Sequence, residues 1–240
     1  MSQQEQIPQE EEVAQQEEEH SQEQEEQLPI DWPENIEYLR RPKISPAVPA
    51  IALKILNTPT AATASFTRFS ADTLQFPNPD VRIVPLNDPE HPANGQFGLA
   101  AKKHFYPGNF ILPYIGLMHT NNPKDTDPDS EYDISLDRDL DLAQDAAKSG
   151  NEARFINDYR GIADRPNAEF RDIWWERWIG IFVVTSGSSG MRKNGIRPGE
   201  EILVSYGKGF WKDKKDEWVA PKKTYAPDPV QRVGKVRVRK

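Results

Sequence analysis

Between residues 81 and 206 the chain never sustains a helical period. Its apolar residues fall in short runs rich in β-branched and aromatic side chains, in a texture cut by Gly, Pro, Asn and Asp: VRIVPL, QFGLAA, FILPYIGLM, YDISL, LDLAQD, IGIFVVT and EILVSY. Such runs fit a pleated, half-buried surface, and the residues between them are turn formers. The pattern predicts a mainly β domain of small sheets with few short helices, and it argues against helices layered on a parallel sheet. No internal repeat is visible.

The flanks differ from this body. Residues 1–28 hold ten glutamates and nine glutamines with no lysine or arginine. A stretch so polar cannot bury enough surface to offset the entropy of ordering, so it reads as a disordered tail. An exposed helix or an acidic partner-binding tail is the other reading. Residues 29–80 are proline-rich and read as an arm or linker, with AVPAIALKILN as the one helical candidate. Residues 81–210 form the expected domain, and 211–240 an aromatic and basic tail ending in GKVRVRK. That end suits weak contact with nucleic acid or an acidic partner, or is only a charged terminus.

The chain has no cysteine, which excludes disulfides and thiolate zinc clusters. Its four histidines show no ligand spacing, so no metal site is expected. No apolar run approaches the roughly 18 residues of a membrane helix, and the acidic start is unlike a signal or transit peptide. The expectation is a soluble, intracellular protein. DTDPDSEYDISL (125–136) places Asp125, Asp127 and Asp129 at the spacing of a calcium loop. However, Ser130 stands where the turn needs Gly, and Leu136 where the ion needs a bidentate Glu, so it reads as a solvated loop.

Four segments gain meaning in order: NGQFGLAA (94–101), PYIG (113–116), GNEARFIN (150–157) and IRPGEEILVSYG (196–207). The set resembles the SET-domain protein lysine methyltransferases. It supplies Gly98-Leu99, Tyr114-Ile115-Gly116, Asp145-Ala146 through Asn157, Pro166-Asn167, Gly180-Ile181-Phe182 and Gly199-Glu200-Glu201 through Tyr206-Gly207. The resemblance spans about 81 to 210. It implies the SET fold of small curved sheets, with the third motif threaded near the fourth in a pseudoknot that ordinary connection rules do not predict. It also implies S-adenosylmethionine as methyl donor and a protein lysine as acceptor, in a histone or another protein, and it favours the nucleus.

Carried over by motif position, Tyr206 and Tyr114 are the catalytic pair. The donor contacts are Gly95, Phe97, Gly98, Leu99, Arg154, Phe155, Asn157 and Asp158. The lysine channel takes Phe170, Val204, Phe210 and Trp211, the last two closing it in place of a zinc-bound cap. Phe170 and Val204 are apolar where the family often uses a tyrosine to limit product, which leans toward multiple methylation; core packing is the alternative for each. The match departs from the family in three places. Asp158-Tyr159-Arg160 replaces His-Ser-Cys, the loop to Pro166 is longer, and Ser205 replaces an aspartate. A polar insertion, TSGSSGMRKNG (185–195), is flexible by composition. These departures bear on activity more than on fold, so the alternative to an enzyme is a SET-fold binding module that has lost turnover.

Overall fold

The computed structural model describes residues 27–61, 63–66, 68–69, 74–175, 178–185 and 194–212. The Glu/Gln-rich head up to residue 26, most of the 185–195 insertion and the basic tail beyond Lys212 lie outside the described residues.

The expected β texture is present as small separate sheets. The arm supplies β1 (Glu37–Tyr38), β2 (Lys43–Ile44), α1 (Ala50–Leu56) and β3 (Arg68–Phe69). The body follows with β4 (Val81–Pro85), β5 (Phe97–Ala101), β6 (Phe110–Pro113), β7 (Leu117–Thr120), β8 (Asp133–Asp137), β9 (Leu142–Asp145) and β10 (Ser149–Gly150). Next come β11 (Asn157–Asp158), β12 (Ala168–Trp175), β13 (Trp178–Thr185), β14 (Leu203–Val204) and a last helix, α2 (Gly207–Lys212). Two sheets have four strands, in the orders β3-β12-β13-β6 and β2-β7-β9-β8; β1-β10, β11-β14 and β4-β5 are pairs. Strand β12 was not among the apolar runs, because Glu169, Arg171 and Asp172 interrupt it. It nevertheless pairs with β13 along its whole length.

The arm is packed along the domain. β1 runs parallel to β10 and β2 parallel to β7, while α1 buries Ala52 and Leu56 in the same core as Leu99, Leu112 and Met118. The described segments β1, β2 and α1 of the arm therefore pack into the body. The proline content of the arm disguised this, since two-residue strands and a two-turn helix leave no periodicity to read.

Two buried asparagines of the third motif region tie the pieces together. Asn151, 1% exposed, accepts from the Ile115 N–H and donates to the Pro113 carbonyl, holding the turn after β6 that carries Tyr114. Asn167, equally buried, donates to the Glu201 carbonyl and accepts from the Leu203 N–H. Each satisfies backbone groups that irregular chain would otherwise leave unpaired in the core, at a cost of about 1–3 kcal/mol apiece. Gly116 has a steric cause: a Cβ there would sit 2.3 Å from the Asp145 carbonyl oxygen. β11 then pairs in parallel with β14, Asn157 beside Leu203 and Asp158 beside Val204. This brings the third and fourth motifs side by side, as the threaded SET arrangement requires.

In the acidic loop, Asp125 accepts from Ser45 and Thr120, and Asp127 pairs with Lys148. Two of the three aspartates with calcium-loop spacing are thus bound internally. Among the described residues no group of three or more His, Asp or Glu side chains could hold a metal. No described helix is long and apolar enough to cross a membrane.

Candidate active site

Two spaces meet where β11 and β14 end. The larger is an open cleft of about 760 Å³. One wall is backbone and ring at Gly95, Gln96 and Phe97; another is Arg154, Phe155, Asn157 and Asp158; Tyr206, Phe210 and Trp211 form the third. The arm completes it with Pro33, Asn35 and Ile36. The smaller is a channel of about 200 Å³ between Tyr114, Ile156, Phe170 and Tyr206. Glu131, Tyr132, Arg154, Tyr206 and Phe210 border both, so the two spaces are neighbours through these side chains.

The channel tyrosines have defined hydrogen bonds. Tyr206 donates its hydroxyl to the Ile156 carbonyl at 2.7 Å, and Tyr114 donates to the Tyr132 carbonyl at 2.7 Å. Each hydrogen is committed to a main-chain acceptor, which leaves the oxygen lone pairs as acceptors. Burial holds both phenols well above the ordinary tyrosine pKa, and nearby negative groups add to it, Asp158 foremost at Tyr206. Both therefore stay neutral at any physiological pH. Phe170 meets Tyr114 edge to face at 5.8 Å, and Phe210 meets Tyr206 in the same way at 4.9 Å. The channel thus has an aromatic and aliphatic side, Tyr114, Ile156, Phe170, Tyr206 and Phe210, and a polar side that includes Glu131, Asp133, Ser135 and Arg154.

The cleft is braced by polar contacts. Arg154 donates Nε to the Ala146 carbonyl and lies over the rings of Tyr132 and Phe155 at 4.4 and 4.9 Å. Asn157 lines the cleft, yet its Nδ2 donates to the Phe97 carbonyl and to Glu201 Oε1. Glu201 also meets His91 at 3.1 Å, so Asn157 and Glu201 together fasten β5 to the fourth motif. Gly98 belongs to this contact and does not border the cleft: a Cβ there would come 2.7 Å from Glu201 Oε1. Leu99 and Val204 also border neither space. Both are fully buried core side chains, because the strands carrying them turn these positions inward. Trp211 borders the cleft only, whereas Phe210 borders cleft and channel.

Residues 96–207 match the family model of the SET domain. The chain carries a SET domain. The SET domain is also similar in structure to the PRC2 of Chaetomium thermophilum in an autoinhibited conformation bound to S-adenosylmethionine. That likeness has 21% identity over 56% of this chain and 16% of the other, with a TM-score of 0.41. KRYPTONITE in complex with mCHH DNA, an H3(1-15) peptide and SAH is similar at 19% identity over 53% and 23%, with a TM-score of 0.39. The chain thus spans less than a quarter of the length of these proteins. No curated protein matches it in sequence.

Sequence reasoning missed Glu131, Tyr132, Glu201 and the arm. Tyr132 carried a signal, an aromatic residue amid acids, which the reading of that loop as solvated passed over. Glu201 was visible as the second acid of the GEE turn. Pro33, Asn35 and Ile36 carried none.

Proposed function

We propose that the SET domain transfers methyl groups from S-adenosylmethionine to a lysine side chain of a protein. The observation that carries this reading is that a cleft wide enough for a nucleoside-sized donor and a narrow aromatic channel share Tyr206. The cleft offers what the donor needs. The rings of Phe97, Phe155 and Trp211 suit a heterocycle, and Glu131 presents an acid toward a cation. When bound, S-adenosylmethionine supplies an already activated methyl on a sulfonium.

The protein's share is positioning and desolvation. A free lysine has a pKa near 10.4, so presenting it neutral at pH 7 costs about 4.6 kcal/mol. Burial against Tyr114, Ile156 and Phe170 reduces that cost by disfavouring the ammonium form, while Glu131 and Asp133 of the same channel attract the lysine as a cation before it is buried. The oxygens of Tyr206 and Tyr114, with their hydrogens tied to carbonyls, accept from the amine and from polarised C–H groups. Phe170 presents a ring without a hydroxyl to this space, which suits an amine that already bears methyl groups. Histones are one acceptor class, and the nucleus the matching compartment.

The competing reading is a binding module without turnover. Asp158, which stands where the family has histidine, and the longer loop after it favour that reading. Labelled-methyl transfer with core histones and with cell extract as acceptors tests the proposal. Label incorporated into protein and stable to base is the expected result. No incorporation into any acceptor, with donor bound, would leave the module.

A further inference from the structure

Asp158 does more than border the cleft. Its side chain is 4% exposed, and its two oxygens accept from three parts of the chain. Oδ1 takes the Arg160 main-chain N–H at 2.9 Å and Arg160 Nη1 at 2.9 Å. Oδ2 takes Nη1 again at 2.7 Å, the Tyr206 main-chain N–H at 2.7 Å and the Trp211 indole N–H at 3.2 Å. Arg160 neutralises the carboxylate and also lies 5.6 Å over the Trp211 ring. From Trp211 the contacts run edge to face through Phe210 at 5.2 Å and on to Tyr206 at 4.9 Å. The path from Asp158 to Tyr206 is therefore closed both ways, directly through the backbone and indirectly through the aromatic side chains of α2.

A histidine, with one acceptor nitrogen at most, could not serve the Tyr206 N–H, the indole and a guanidinium together. A buried carboxylate can, and hydrogen bonds to a charged acceptor are about twice as strong as neutral ones. We propose that Asp158 is a positioning residue, a latch that fixes the Tyr206 backbone and docks α2 against the cleft through Trp211. The family's histidine is thus replaced by a different device and not simply lost. That the docked helix encloses a methyl donor rests on the function proposed above; the latch itself does not.

The full chain is compared with Asp158→Asn, Trp211→Phe and the double variant. Trp211→Phe keeps an aromatic ring and removes the N–H. Hydrogen exchange of peptides covering 205–212 reads the latch without any donor. Exchange there should quicken about tenfold in Asp158→Asn and less in Trp211→Phe, as for loss of a charge-assisted bond, while peptides covering β12 stay unchanged. The double variant should exchange no faster than Asp158→Asn alone, since the contact that Trp211→Phe removes is one that Asp158→Asn already breaks. With S-adenosylmethionine, both single variants should bind more weakly, and in Asp158→Asn kcat should fall more than KM rises because the Tyr206 N–H loses its charged acceptor. Unchanged exchange in both single variants, or effects that multiply in the double, would overturn the latch. If Asp158→Asn does not fold, Trp211→Phe decides alone: parental exchange over 205–212 overturns it. If the parent binds no donor while exchange behaves as expected, the latch stands and the enzyme reading falls.

Discussion

On one flank of the cleft, Tyr38 of the arm donates its hydroxyl to Glu152; on the other, Trp211 of α2 donates its indole N–H to Asp158. Both acceptors are buried carboxylates, 2% and 6% exposed. They differ in what accompanies them. Asp158 has the Arg160 guanidinium at 2.7 Å. Glu152 is served by neutral donors, the Asn78 N–H and the Tyr38 hydroxyl, and burial pushes its pKa up despite them. The arm compensates with apolar contact: Trp32 packs edge to face on Tyr38 and on Phe155 at 4.9 and 5.6 Å. One flank is therefore held mainly by rings around a costly acid, and the other by a balanced charge. The arm should behave as part of the core, and the helix as a part that can be released.

Tyr206 lies between the flanks, so its substitution tests the proposed chemistry apart from closure. Tyr206→Phe leaves both flanks intact and removes one hydroxyl. Methyl transfer should fall about 10²–10³-fold, the scale for losing one transition-state hydrogen bond, while donor affinity stays within a few-fold. Single-turnover transfer at saturating donor measures the first and calorimetry the second. Transfer at the parental rate would mean that closure alone sets the rate.

Ending the chain at Gly207 breaks the helical flank. Phe210 borders both spaces and Trp211 the cleft, so transfer and donor affinity should both drop, each about tenfold or more for lost aromatic burial. The thermal midpoint should move little, because the core residues come from β4–β14 and α1. A large fall in the midpoint would show that the helix is core after all.

The arm predicts the reverse. Trp32→Ala should cost about 2–3 kcal/mol of stability in urea unfolding, less than a fully buried tryptophan because Trp32 is only partly enclosed. Donor affinity should fall as well, since Pro33 and Ile36 lose their support: the Trp32 indole donates to the Ile36 carbonyl. A change below about 0.5 kcal/mol would return the arm to the status of a linker.

These contrasts mark how far the sequence could be read. Tyr114, Arg154, Phe155, Asn157 and Tyr206 fall together at the cleft and channel because their motifs carry steric and hydrogen-bonding demands visible as residue types: Gly116 against Asp145, and Asn151 and Asn167 against backbone. Motif position alone points to Leu99 and Val204 as site residues, because it cannot tell an inward strand residue from an outward one. The arm was illegible because its anchors are single residues, Trp32 and Tyr38, that reach partners more than a hundred positions away. Asp158 read as a defect, since its compensation depends on Arg160 and Trp211 arriving in space.

The smallest expected effect concerns Glu152. Its pKa is raised in the folded state, so its stabilising contribution is fully present below the unfolded value near 4.5 and is lost as pH rises through the folded value. Glu152→Gln should remove that dependence. From pH 4 to 7 the stability of the parent should decline relative to the variant, read as thermal midpoints across the series. A parallel pair of curves would show that Glu152 does not titrate in this range.

The central claim is that the cleft between these flanks holds a methyl donor. Calorimetric titration of S-adenosylmethionine into the full chain tests it most directly. A saturable, one-site heat with a Kd of about 1–100 μM, in the range usual for enzyme substrates, is expected, weakened about tenfold or more in Asn157→Ala because the Phe97 carbonyl and Glu201 lose their shared donor. A parent chain that gives no saturable heat, while folded and cooperative in its unfolding, would contradict it.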